Sequence, residues 1–152
     1  MTKKDHFIRN ILIGFAGVFV LIILTLVIVN NDSELKDSYS DFTRIIEYSE
    51  ASRQENELYG VYFYSETCGA CISIKEETFQ FGTNNNLQID LFMMDAQRTT
   101  GNRSDINLNG NSLNSTPTLL IYKNNSLVDY FVGTTEITNF YEAVSLGNIA
   151  YE

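Results

Sequence analysis

Histidine and cysteine are nearly missing from this chain, and tryptophan is missing altogether. Of 152 residues one is histidine, His6, and two are cysteine, Cys68 and Cys71. A structural zinc site needs four ligands, so these residues could complete one only between two chains. Covalent haem attachment requires histidine directly after the second cysteine of a C-x-x-C pair, and Ile72 stands there. A second C-x-x-C is also lacking, so the chain has no internal pair to which it could pass electrons. Basic side chains are scarce too: 10 Lys and Arg face 19 Asp and Glu, for a net charge of −9. Asp5 is the only acid ahead of Asp32, so the part after residue 30 holds nearly all of the acidity. Such a surface repels phosphate backbones and favours solubility, which argues against nucleic acid as a partner. No internal repeat is present, and the Asn-rich stretches lie between strand-like runs and read as loops.

One stretch is nearly free of charge. In FIRNILIGFAGVFVLIILTLVIV, residues 7–29, no charged residue follows Arg9 until Asp32. Some twenty helical residues reach about 30 Å, the thickness of a bilayer's hydrocarbon core. A cleaved secretory signal would have a shorter apolar run and small residues near its end, whereas this one ends TLVIVNND. The run is apolar all round, unlike a helix with one face on a soluble core. The segment therefore predicts an uncleaved signal anchor. Lys3, Lys4 and Arg9 precede it, and Asp32, Glu34, Asp37 and Asp41 outnumber Lys36 after it. The excess of positive charge places the N-terminus in the cytoplasm and the remainder outside, in an oxidising compartment. The expected organisation is a cytoplasmic N-terminus (1–9), a single-pass anchor in the cell membrane (10–29), a tether (30–38) and one domain (39–152).

Within the domain, Tyr39, Phe42, Ile45 and Ile46 recur at helical spacing and predict an amphipathic helix. LYGVYFY (58–64) reads as a strand, CISIKEETFQF (71–81) as a helix ended by Gly82, and LQIDLFMMD (87–95) as a second strand. Residues 96–115 leave room for a short, unbounded helix. TPTLLIYKNNSLVDYFVG (116–133) predicts two strands joined at Asn124-Asn125, which tolerate positive φ. Ile137, Phe140, Tyr141 and Val144 define a final amphipathic helix capped by Thr134 or Thr135. A β-α-β unit followed by a hairpin and a helix implies an α/β fold: a central mixed sheet of four strands with helices on both faces.

The two cysteines fall where a strand gives way to a helix, in YSETCGAC (64–71). A static disulfide across so small a loop would remove little chain entropy and add little stability. Reactivity accounts better for the placement. Backbone N–H groups at a helix start favour a thiolate at Cys68, and Cys71, one turn further, is placed to attack a mixed disulfide formed there. Gly69 and Ala70 between them are small and leave the approach open.

From Leu58 to Leu146 the sequence resembles the thioredoxin family. VYFYSETCGAC is similar to that family's strand and active-site segment, and STPTLLIYKNNSLVDYFVG to its later Thr-Pro-Thr, hairpin and Gly run. Together with the anchor, the chain is similar to small membrane-tethered thioredoxin-like proteins of bacteria. The resemblance implies a thioredoxin-like fold and a thiol–disulfide oxidoreductase whose only redox group is the Cys68–Cys71 disulfide, without a bound cofactor or metal. It also implies that Thr116-Pro117, containing the chain's only proline, has a cis bond and forms a substrate-docking ledge beside Cys68. The active-site loop would comprise Thr67, Gly69 and Ala70. Many members have Trp, Gly-Pro and a buried Asp where this chain has Thr67, Gly69-Ala70 and Tyr62. Those departures leave the reduction potential, and so the direction of electron flow, open.

Two functions follow. In the first, a membrane-anchored oxidoreductase exchanges disulfides with extracytoplasmic cysteine-containing client proteins, Cys68 acting as nucleophile and Cys71 as resolving thiol, and a separate redox partner regenerates it. In the second, a thioredoxin-like module serves a membrane export or conjugation assembly and its C-x-x-C is structural or vestigial.

Overall fold

The computed structural model describes residues 36–84, 87, 89–149 and 151. The expected N-terminal segment 1–9, the anchor 10–29 and most of the tether lie outside these residues. Among the described residues no helix is long and apolar enough to cross a membrane.

Alternation builds the centre of the fold. In β2 (Leu58–Tyr64), Tyr62 and Tyr64 face one side while Tyr59, Val61 and Phe63 face the other, as a strand's two-residue period requires. β2 pairs in parallel with β3 (Asp90–Asp95) and antiparallel with β6 (Thr118–Lys123). β7 (Ser126–Val132) returns antiparallel along β6, through a turn in which Asn124 and Asn125 have φ of 49° and 63°. The side-chain amides of these two residues tolerate that left-handed geometry, as the sequence predicts.

Among the described residues the sheet has five strands rather than four, in the order β1-β3-β2-β6-β7. The additional strand, β1 (Arg44–Ile45), lies in the segment predicted to be an amphipathic helix. That helix does not form. Residues Tyr39–Asp41 and Tyr48–Glu50 each make a single 3-10 turn on either side of β1. The buried positions there, Tyr39, Phe42, Ile45, Tyr48 and Ala51, are three apart, a spacing that imitates one helical face. However, Tyr39 and Phe42 pack on one face of the sheet while Ile45, Tyr48 and Ala51 pack on the other. A straight helix cannot supply both faces, and the chain crosses the sheet edge in extended form instead. The Asp41 carboxylate accepts from the N–H of Ser38, and that of Glu50 from the N–H groups of Ile46 and Glu47, closing each turn early.

Among the described residues the α-helices are likewise not shared between the two faces. α1 (Gly69–Ser73), α2 (Lys75–Thr83) and α3 (Thr134–Ser145) contribute Cys71, Phe79, Phe81, Ile137, Phe140 and Tyr141 to a single core with Tyr62, Tyr64, Met93 and Leu119. Opposite them, Ile106, Leu108 and Leu113 cover the sheet from a 3-10 turn (Arg103–Asp105) and the short hairpin β4 (Asn107–Leu108) and β5 (Asn111–Ser112). The short helix expected somewhere in 96–115 is therefore a 3-10 turn and hairpin, fixed by the Asn102 side chain accepting from Ser104 N–H and by Asn107 Oδ1 accepting from Gly110 N–H. Gly133 (φ 83°), rather than a threonine, occupies the cap position of α3.

The helix predicted over 71–81 is two helices that meet at Ile74 (φ −114°, ψ 15°). Gly82 does not end the second but lies inside it, against Phe42 and against Leu91 of β3. A Cβ there would sit 2.6 Å from Phe42 Cε1 and 2.8 Å from Leu91 Cδ2. Alanine would gain about 1 kcal/mol of helix propensity and lose about 1–3 kcal/mol to overpacking. Gly82→Ala is therefore expected to lower stability by roughly 1 kcal/mol, read from the midpoint of urea unfolding; a stabilised variant would contradict the contact.

Candidate active site

β2 delivers the chain to the site. After Tyr64 the backbone turns through Ser65–Thr67, with Cys68 N–H donating to Ser65 O at 3.1 Å, and enters α1 with Cys68 as its cap residue. Cys71 N–H donates to Cys68 Sγ at 3.3 Å, so the first turn of α1 supplies a donor to the sulfur. Opposite, Cys68 Sγ–H donates to Thr116 O at 3.4 Å. The pairing of Phe63 with Thr118 sets this distance, because it lays the start of β6 beside the end of β2. The Thr116-Pro117 peptide is cis, and Pro117 O accepts from Gly133 N–H at 2.9 Å, which joins this segment to the start of α3.

Both cysteines are free thiols, but their surroundings differ. Cys68 is half-buried, while Cys71 is completely buried. Burial raises the Cys68 thiol, yet hydrogen bonds from the Cys71 thiol, the Thr116 side chain and the Cys71 and Ala70 N–H groups outweigh it, and the balance lies below the ordinary cysteine value. Burial pushes Cys71 up to about 11, and its bond to Cys68 adds to the rise. One sulfur is thus the more readily ionised and the other is held protonated behind it. Two neighbouring thiols divided in this way can perform sequential thiol–disulfide exchange.

The structure brings together every site residue that the sequence suggests. Gly69 and Ala70 are exposed on the rim and place no bulky side chain over Cys68. Thr67 is exposed, its Oγ1 3.0 Å from Ser65 Oγ, and it accepts from Gln97 Nε2 at 3.2 Å. Glu66 points outward and lies 3.7 Å from Arg98, which also approaches the buried Asp95 at 3.4 Å. The contact of Gln97 with Thr67 joins residues thirty positions apart and leaves no signal in the sequence.

The thioredoxin family model matches residues 40–145. Solved structures similar to this chain include mitochondrial thioredoxin 3 of Saccharomyces cerevisiae, at 15% identity and a TM-score of 0.57, covering 72% of this chain and 98% of that one. Thioredoxin of Trypanosoma brucei brucei is similar at 13% identity and a TM-score of 0.56, over 76% of this chain and 99% of its own. Plasmodium falciparum thioredoxin is similar at 23% identity and a TM-score of 0.52, over 68% and 97% respectively. No curated protein sequence matches. At these identities the solved structures attest the fold, whereas the family match spans well over half of the sequence. The chain belongs to the thioredoxin family and is a thiol–disulfide oxidoreductase.

Proposed function

We propose that this protein is anchored in the cell membrane by residues 10–29 and exchanges disulfides with cysteine-containing proteins outside the cytoplasm. The observation that carries the chemistry is the unequal pair: an accessible Cys68 with a lowered pKa beside Thr116 O, and a buried Cys71 behind it. In the reducing direction the Cys68 thiolate attacks a client disulfide, forming a mixed disulfide and releasing one client thiolate. Cys71 then loses its proton and attacks the Cys68 sulfur; the Cys68–Cys71 bond forms and the second client sulfur departs with the electron pair. Thr116-Pro117 is the ledge against which an extended client segment docks, and Thr67, Gly69 and Ala70 form the loop that it meets. Oxidation of clients follows the same steps in reverse. A separate redox partner resets the pair, and lowering the Cys68 pKa favours the reduced form and so a more oxidising disulfide.

The membrane reading rests on the uncharged run 10–29 and its flanking charges. A single variant tests location and chemistry together. Cys71→Ser, expressed in the native membrane, is expected to accumulate reductant-sensitive adducts at Cys68 with extracytoplasmic proteins or with one regenerating partner. Absence of any adduct, together with no turnover of a small disulfide by the unmodified chain, would leave the module reading in its place.

A further inference from the structure

The residue before the nucleophile is held from outside its own loop. Cys68 caps α1 with φ −81° and ψ 114°, and in that geometry its sulfur accepts from the Cys71 N–H at 3.3 Å. Two bonds close the turn that leads into the cap: Cys68 N–H donates to Ser65 O at 3.1 Å, and Thr67 N–H to Ser65 Oγ at 3.3 Å. Ser65 is buried, whereas Glu66 and Thr67 are exposed, so packing does little to fix the two residues that precede Cys68.

The loop that leaves β3 supplies what packing does not. The buried Asp95 accepts from Gln97 N–H through Oδ1 at 2.9 Å, and its backbone oxygen accepts from the N–H groups of Arg98 and Thr99 at 3.1 and 2.8 Å. Three successive residues of this loop then meet the active-site segment. Ala96 N–H donates to Tyr64 O at 2.7 Å, Gln97 Nε2 donates to Thr67 Oγ1 at 3.2 Å, and Arg98 lies 3.7 Å from Glu66. Because Thr67 Oγ1 accepts from Gln97, its own proton is free for Ser65 Oγ, 3.0 Å away, and the chain of bonds runs from one loop into the other. The Arg98–Glu66 contact joins two exposed side chains and contributes little in water. The glutamine bond is the tie that reaches the neighbour of Cys68.

We propose that Gln97 is a positioning residue for Cys68, its amide bracing Thr67 so that the turn 65–68 keeps the reactive sulfur on the N–H of Cys71. This rests on the thiol–disulfide chemistry at Cys68 and assigns that chemistry a support from a separate loop. Gln97 neither gives nor takes a proton in the reaction. Its contribution is to the population of the capped geometry, which one neutral hydrogen bond shifts by about two- to tenfold. A sulfur that leaves the cap loses a donor to its thiolate, and the thiolate forms less readily. The charged side chains of the two loops, Glu66, Asp95 and Arg98, are kept in every variant below, so their fields do not enter the comparison.

The test uses the reduced 152-residue chain in detergent, as the parent, Gln97→Ala, Thr67→Val and the double variant. The rate at which iodoacetamide alkylates Cys68 once is followed by mass spectrometry as a function of pH; Cys71 is completely buried and does not compete. Gln97→Ala is expected to react about threefold more slowly at pH 7 and to converge with the parent at about pH 10, where Cys68 is ionised in both. Thr67→Val should show the same displaced profile, and the double variant should be no slower than either single one, because all three break the same chain of bonds. Superimposable profiles for Gln97→Ala and the parent would overturn the proposal. So would a loss of equal size at every pH, which would mean altered access to the sulfur, or losses that multiply in the double variant, which would mean that the two residues act separately. Alkylation needs no disulfide substrate, so a parent chain that turns over no disulfide would count against the oxidoreductase reading and leave this comparison to decide on Gln97.

Discussion

Cys68→Ser is expected to reduce turnover of a small disulfide by at least about a thousandfold, with dithiothreitol supplying the electrons. A serine hydroxyl does not ionise near neutral pH and makes a poor nucleophile towards sulfur, so the first bond does not form. Cys71 cannot stand in, because it is completely buried and its thiol is pushed up to about 11. Cys71→Ser has the opposite phenotype: the first attack proceeds at nearly the parental rate and the adduct persists. Stopped-flow measurement of adduct formation separates the two steps. Comparable first-step rates in the two serine variants would show that the sulfurs are interchangeable, against the asymmetry of the site.

Phe140→Ala is expected to cost about 3–5 kcal/mol, the range for removing a buried aromatic. Phe140 is 2% exposed, and its ring centre lies 4.4 Å from that of Phe131, 5.9 Å from Phe81 and 6.2 Å from Tyr141. It therefore fastens α3 to both β7 and α2. A domain of this size typically has about 5–15 kcal/mol of stability in all, so the change removes a large fraction of it. The site should loosen as well, since Gly133 at the start of α3 holds Pro117 O. Urea unfolding measures the loss; a change below about 1 kcal/mol would mean that the cavity collapses around the missing ring.

Much of this architecture is legible in local pattern. The alternation in β2, the Asn124-Asn125 turn and the spacing of Ile137, Phe140, Tyr141 and Val144 each arise within a few residues, and the folded chain keeps them. The segment 39–51 misleads because a three-residue spacing satisfies a helical template. Only the positions of the two cores show that Phe42 and Ile45 belong to opposite faces. Residues 96–115 are misread for a related reason: their order comes from side-chain bonds of Asn102 and Asn107 and from covering the sheet, neither of which has a period. Helices on both faces would suit a β-α-β crossover in general, but here short turns and a hairpin bury the second face without one.

By itself the sequence determined the reactive pair, its setting at a strand-to-helix junction, the only proline and an uncharged run long enough to span a bilayer. These are matters of composition and short spacing, to which folding adds nothing. The tertiary structure alone decided that Cys71 is buried and Cys68 is not, and that Cys68 meets Thr116, forty-eight residues away, which together set the two sulfurs further apart. It likewise decided that the Tyr39 and Tyr62 hydroxyls are fully buried. Tyrosine in a strand or a turn is ordinary; how deeply its oxygen is buried follows from packing alone.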